Sequence, residues 1–82
     1  MNTQGTLRDI LRETLDIGDR ADSLADDTPL LGNLPELDSM AVVEVVAGLE
    51  QQFGITVYDD EVDAEAFATF GSLVKFVEGK QQ

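Results

Sequence analysis

The sequence has neither cysteine nor histidine among its 82 residues. The lack of cysteine excludes disulfides and thiol nucleophiles, and the lack of histidine removes the most common general base, the usual zinc ligand sets and any serine–histidine triad. Catalysis by the chain's own side chains is therefore not expected. We predict a protein that is not an enzyme and has no metal site.

Basic residues are also scarce: five Lys and Arg stand against 17 Asp and Glu, which gives a net charge of −12. Such a charge repels nucleic acids and anionic membranes and favours basic protein partners, although a well-solvated surface explains it equally well. No apolar run approaches the roughly 20 residues needed to span a bilayer, and Met1–Gly5 has no signal pattern. We expect a cytoplasmic monomer without membrane insertion.

Three stretches have the apolar spacing of amphipathic helices. The first runs from Thr3 or Thr6 to Asp16, the second from Asp38-Ser39 to Phe53-Gly54, and the third from Phe70 to Gly79. The first and second are separated by a long loop of breaker residues, which its leucines should pin to the core: Leu24, Leu30, Leu31 and Leu34. A fourth, short helix is expected around 63–67. These features predict an all-α four-helix bundle that forms one domain over residues 1–82.

The second helix has two apolar faces. One narrow arc should be buried: Val42, Val45, Val46, Leu49 and Phe53. The opposite side carries a second stripe bordered by Glu44 and Glu50: Met40, Val43 and Ala47. The long loop would bury this stripe in one interpretation. In the other, the stripe is a docking surface whose flanking carboxylates steer a basic partner.

Ser39 lies at the start of the second helix, where free backbone N–H groups and the positive helix end stabilise a phosphate. Asp38 and Ser39 are also ordinary helix-capping residues, so the pair alone does not assign a function. An acidic cluster further along lacks calcium-loop spacing and is expected to be a solvated face: Asp59, Asp60, Glu61, Asp63 and Glu65.

The segment Leu37-Asp38-Ser39-Met40, followed by Val42-Val43-Glu44-Val45 and Glu50-Gln51-Gln52-Phe53-Gly54-Ile55, resembles the attachment region of acyl carrier proteins. The likeness continues to Thr69-Phe70-Gly71-Ser72-Leu73-Val74 and covers nearly the whole chain. It implies that Ser39 receives 4'-phosphopantetheine, that Asp38 assists the transferase near its magnesium ion, and that the second helix docks partners. Met40 replaces the family's usual Leu, and Glu36-Leu37 stands where many members have Gly and an apolar residue.

The resemblance further implies a function: acyl groups are carried as thioesters and presented to enzymes of fatty-acid, polyketide or related biosynthesis. The implied partners are a phosphopantetheinyl transferase, an acyl-activating ligase, and acyltransferases or synthases with basic docking surfaces. The stretch from Leu34 to Val43 looks closer to stand-alone carriers of bacterial exopolysaccharide and exosortase systems than to the housekeeping fatty-acid carrier. Two alternatives stay open: an aminoacyl or peptidyl carrier, and an unmodified acidic interaction module.

Overall fold

The computed structural model describes residues 3–81. Over this part of the chain it contains three α-helices: α1 (Thr3–Leu15), α2 (Ser39–Phe53) and α3 (Phe70–Lys80). Two 3-10 helices lie between them, the first at Gly18–Ser23 and the second at Asp59–Glu61. The expected all-α bundle is confirmed. None of the helices within residues 3–81 is both long and apolar enough to cross a membrane.

The predicted short helix at 63–67 is wrong in position. There the Asp63 carboxylate accepts the N–H of Ala66 at 2.9 Å, and the chain forms a turn. The short helical element comes earlier, as the second 3-10 helix. Its formation is favoured because the Glu61 carboxylate accepts the N–H of Tyr58 at 2.9 Å, which closes the preceding turn.

The α1–α2 connection is longer than most loops, and much of it is packed against the core. It contains the first 3-10 helix, whose Ala21 is fully buried. Three of the four leucines expected to pin it are buried, whereas Leu31 is 37% exposed. Burial of these side chains offsets the entropy of ordering the connection.

The second half of this connection is hydrogen-bonded to the start of α3. The N–H of Leu30 donates to the Ala68 carbonyl, and the N–H of Gly71 donates to the Asp26 carbonyl, both at 2.9 Å. A Cβ on Gly71 would lie 2.6 Å from the Asp26 carbonyl oxygen, so only glycine permits this approach. The loop is thereby fixed beside the N-terminus of α3.

Helix α2 buries a face that is rotated from the predicted one. The buried residues are Ala41, Val45 and Leu49, whereas three of the five predicted ones are only partly buried: Val42, Val46 and Phe53. The rotation follows from the approach of α1, since a Cβ on Gly48 would lie 3.0 Å from Ile10 Cγ2. The small residues of α2 thus define the side on which α1 packs.

Candidate functional site at the start of α2

Asp38 is the N-cap residue of α2. Its Oδ1 accepts the N–H of Ala41 at 2.8 Å, and its carbonyl accepts the N–H of Val42 at 2.9 Å. Its backbone is extended, with φ −97° and ψ −175°, as expected of an N-cap. Capping is therefore carried out by Asp38, and Ser39 is left without that task.

Ser39 is the first residue of α2 and is exposed. The chain has three serines, and the other two hydroxyls donate to backbone carbonyls, Ser23 to Arg20 and Ser72 to Ala66. Over residues 3–81, neither the Ser39 hydroxyl nor the N–H groups of Ser39 and Met40 have a hydrogen-bond partner. The site fits a phosphodiester, because two free N–H donors at a positive helix end stand beside an accessible hydroxyl.

An apolar groove of about 350 Å³ opens next to Ser39. The connection, α2 and the segment before α3 all contribute to its walls, which include Leu31, Leu37, Val42, Val62, Ala64 and Phe67. Asp38 and Asp63 are part of the same lining. A group attached to Ser39 would therefore have an apolar surface within reach.

The second stripe of α2 is open to solvent. Met40 is 71% exposed and Val43 is 66% exposed, and Ala47 and Glu44 are also exposed. The interpretation in which the long loop buries this stripe is therefore wrong. Solvent-exposed apolar side chains next to a carboxylate have the composition of a contact surface.

Glu50, the other predicted flanking carboxylate, has a structural contact. It is half-buried, and its Oε2 accepts the N–H of Val57 at 2.9 Å. Between these residues the chain reverses at Gly54, whose φ of 66° is left-handed. Glu50 therefore ties the end of α2 to the segment that follows, a role that helical spacing did not indicate.

Sequence reasoning also missed the pairing of Glu36 with Arg20. The Arg20 guanidinium donates to Glu36 Oε2, which connects the first 3-10 helix to the segment before Ser39. The hydrogen bond from Arg20 lowers the pKa of Glu36 below its usual value, with help from a backbone N–H. No spacing rule pairs residues so far apart in a loop, so the sequence carried no signal for this contact.

The acidic cluster is partly engaged in hydrogen bonds. Both carboxylate oxygens of Glu61 accept from Lys80 Nζ, at 2.7 and 2.8 Å, and this contact lowers the pKa of Glu61. Asp63 holds the turn that ends near Phe67. No group of side chains suited to a metal ion occurs within residues 3–81.

Comparisons with known proteins agree on one family. A family model described as a phosphopantetheine attachment site matches residues 5–77. An acyl carrier protein of Sulfurovum sp. (strain NBC37-1) is 36% identical over 72 residues, which cover 88% of this chain and 89% of the relative. The solution NMR structure of a holo acyl carrier protein from Nitrosomonas europaea has a TM-score of 0.89 and 49% identity, covering 98% of this chain and 96% of that one.

A more distant neighbour comes from a crystal structure of an engineered Bradyrhizobium japonicum glycine:[carrier protein] ligase complexed with carrier protein from Agrobacterium tumefaciens and ATP. The similarity has a TM-score of 0.79 and 26% identity, covering 94% of this chain and 97% of that chain.

Proposed function

The chain belongs to the family of phosphopantetheine-bearing acyl carrier proteins, and from that premise we propose that its arm is attached to the Ser39 hydroxyl. Proteins of this family are carriers, not enzymes. Their cofactor is a covalently attached 4'-phosphopantetheine, whose thiol holds acyl groups as thioesters. The attachment point in this chain rests on one observation: within residues 3–81, Ser39 is the serine whose hydroxyl has no partner, and it stands at a helix N-terminus.

Attachment requires a separate transferase with coenzyme A as the donor. The Ser39 Oγ forms a bond to the phosphorus nearest pantetheine, and the bond from that phosphorus to the bridging oxygen breaks. Adenosine bisphosphate leaves with the electron pair, and the hydroxyl proton passes to a base of the transferase, because the Ser39 hydroxyl has no hydrogen-bonded base within residues 3–81. Oδ1 of Asp38 accepts the N–H of Ala41, so Oδ2 would be the oxygen available to the magnesium ion of the transferase.

The test is intact-mass analysis after incubation with coenzyme A and a broad-range phosphopantetheinyl transferase. We expect one added phosphopantetheinyl group in the parent chain and none in Ser39→Ala. Ser23→Ala is the matched control, because Ser23 is also exposed but donates to a backbone carbonyl. Modification of Ser39→Ala would contradict the assignment, and an unmodified parent chain would favour the interaction-module alternative.

We also propose that the outward stripe of α2, with Glu44 and Glu50, is the surface on which the transferase and later enzymes dock. The stripe offers exposed apolar contact at Met40, Val43 and Ala47. Glu44 is exposed and has no partner within residues 3–81, so it is free to attract basic residues of an enzyme. Glu50 participates through Oε1, because its Oε2 holds the N–H of Val57.

Charge reversal at Glu44 tests the docking surface. Glu44→Lys should lower kcat/KM for the transferase several-fold at low salt, and the difference should shrink as salt screens the attraction. Glu13→Lys is the matched control, since it reverses another exposed glutamate on a different helix. Equal loss in both variants would mean that only net charge matters. Glu50→Lys is unsuitable, because it would also remove the acceptor of a backbone N–H.

The cargo is proposed to be an acyl group in fatty-acid, polyketide or exopolysaccharide-linked biosynthesis. The groove beside Ser39 supports this, because its lining is mostly apolar. The aminoacyl alternative is supported by the neighbour from the complex with a glycine:[carrier protein] ligase. Thermal melts of the holo protein loaded with an alkyl acyl group or with glycine separate the two: an alkyl group that enters the groove raises the melting temperature, whereas glycine does not.

We propose further that residues 1–82 act as one carrier unit, monomeric and cytoplasmic. The family model spans most of this length, and the relatives it resembles have similar lengths. Size-exclusion chromatography with light scattering tests the monomer, and fractionation of cells tests the location.

A further inference from the structure

We propose that Arg20 and Glu36 are positioning residues for the modification of Ser39, because their ion pair fixes the chain that leads into α2. The inference rests on the proposed attachment at Ser39 and adds a requirement outside α2. Neither residue is hydrogen-bonded to the Ser39 hydroxyl. They act through the short stretch of backbone that connects Glu36 to Ser39.

The Arg20 end of the pair is firmly held. Arg20 belongs to the first 3-10 helix, and its N–H donates to the Ile17 carbonyl at 3.2 Å. The neighbouring Ala21 is fully buried, and Ile17 is also buried. The guanidinium therefore extends from a part of the chain that is anchored to the core.

The Glu36 end depends on that guanidinium. Glu36 Oε2 accepts from Arg20, whereas Oε1 is shielded from solvent and has no hydrogen-bond partner. The side chain of Glu36 is 31% exposed, so water solvates it only in part. Separation from Arg20 would leave a partly desolvated carboxylate without its cation, which costs free energy. The ion pair therefore favours the conformation in which the Glu36 segment lies against Arg20.

Each residue between Glu36 and Ser39 is also fixed. Leu37 is buried and its N–H donates to the Leu34 carbonyl at 3.0 Å, and Asp38 caps α2. A restraint on Glu36 is therefore transmitted through two immobilised residues to Ser39. Without the pair, the segment that begins at Leu34 is restrained only by its buried leucines and its turns.

The experiment measures transferase kinetics on the apo protein with a broad-range transferase and coenzyme A. Arg20→Gln should lower kcat two- to fivefold, which corresponds to about 0.4 to 1 kcal/mol, the range of exposed ion pairs. KM should change less than twofold, because the docking stripe on α2 is untouched. Arg20→Lys keeps the charge and should retain at least half of the parental kcat.

Two comparisons separate positioning from general loosening. Arg12→Gln is the matched control, because Arg12 also binds the first 3-10 helix, through Asp22 at 2.6 Å, but has no contact with the attachment segment. Its kcat should equal that of the parent. Glu36→Ala should be milder than Arg20→Gln, because it leaves no shielded carboxylate behind.

Equal kcat in Arg20→Gln and the parent would overturn the inference, as would equal losses in Arg20→Gln and Arg12→Gln. Hydrogen exchange of the apo protein gives a readout independent of the transferase. The Leu37 N–H should exchange faster in Arg20→Gln than in the parent, and its exchange rate should be unchanged in Arg12→Gln. An unchanged rate in both variants would also overturn the inference. If the parent is not modified at Ser39, the proposed function fails, and with it the kinetic role of the pair.

Discussion

Two valines of α2 allow the division of this helix into two faces to be tested with a single type of substitution. Val45 is fully buried, whereas Val43, two residues earlier, is 66% exposed. Both lie within α2, well inside its ends. Mutation of each to alanine removes the same two methyl groups from the same helix, so the difference between the variants reports burial alone.

The magnitude follows from that difference. Removal of two buried methyl groups at Val45 costs about 1.6 kcal/mol in transfer free energy, and a residual cavity brings the total to about 2 to 3 kcal/mol. Alanine is a better helix former than valine, by up to about 0.7 kcal/mol at either position. We expect Val45→Ala to lose about 1.3 to 3 kcal/mol of unfolding free energy and Val43→Ala to be neutral or slightly more stable.

Urea unfolding monitored by circular dichroism at 222 nm, the usual helix wavelength, is the assay, with thermal melts as a second measure. For a domain of this size 1 kcal/mol is worth about 4 to 8 °C in melting temperature, so the two variants should be clearly separated. Similar losses in both variants would refute the assignment of the two faces. A loss in Val43→Ala alone would mean that the outward stripe is the packed one.

Two further substitutions, the first with a control variant, test contacts outside α2. Gly71→Ala should lower the free energy of unfolding by about 1 to 3 kcal/mol, because its Cβ would lie 2.6 Å from the Asp26 carbonyl oxygen. Gly79→Ala is the control, since the space around Gly79 is open, and it should stabilise α3. Equal effects of the two variants in urea unfolding would contradict the close approach at Gly71. Glu61→Gln removes a carboxylate whose pKa is lowered by Lys80, so its stabilisation is present at neutral pH and is lost as the pH falls below 4.5 through the lowered pKa. The melting temperatures of the parent and Glu61→Gln should therefore differ at pH 7 and converge in acid, and a constant gap would contradict the ion-pair explanation.

The amphipathic helices were predictable because their apolar spacing records burial directly. All four apolar residues that recur at helical spacing in α1 are buried: Leu7, Ile10, Leu11 and Leu15. The same holds for α3: Phe70, Leu73, Val74 and Val77. In α2 the spacing was ambiguous, because apolar residues surround most of the helix. There the packing face depends on where α1 crosses, which a single helix does not encode.

The elements predicted poorly are those stabilised by contacts distant in sequence. The second 3-10 helix is formed where Glu61 both closes a turn at Tyr58 and binds Lys80 from α3. The prediction from the local sequence of this acidic stretch did not include the contact with Lys80, and it placed the short helix later, at 63–67. The groove beside Ser39 is another example, because three separate segments form its walls.

The candidate site was predictable only in part for a related reason. A helix start can be read from Asp38 and Ser39 in the sequence, but which of the two caps the helix is decided by geometry. Glu44 and Glu50 both border the outward stripe of α2, yet Glu50 has a backbone partner and Glu44 has none within residues 3–81. Sequence reasoning could name both as docking residues and could not distinguish them.

The residues that cap, bury and terminate α2 lie outside its outward stripe. Asp38 caps the beginning, the buried arc holds the middle, and Gly54 terminates the helix in a left-handed conformation. Substitution of an exposed residue on such a helix usually changes stability by about 0.5 kcal/mol or less. The stripe can therefore be altered to suit different enzymes without loss of the fold. Because Glu50 is tied to Val57, it is the one proposed docking residue for which a change of partner preference would also affect folding.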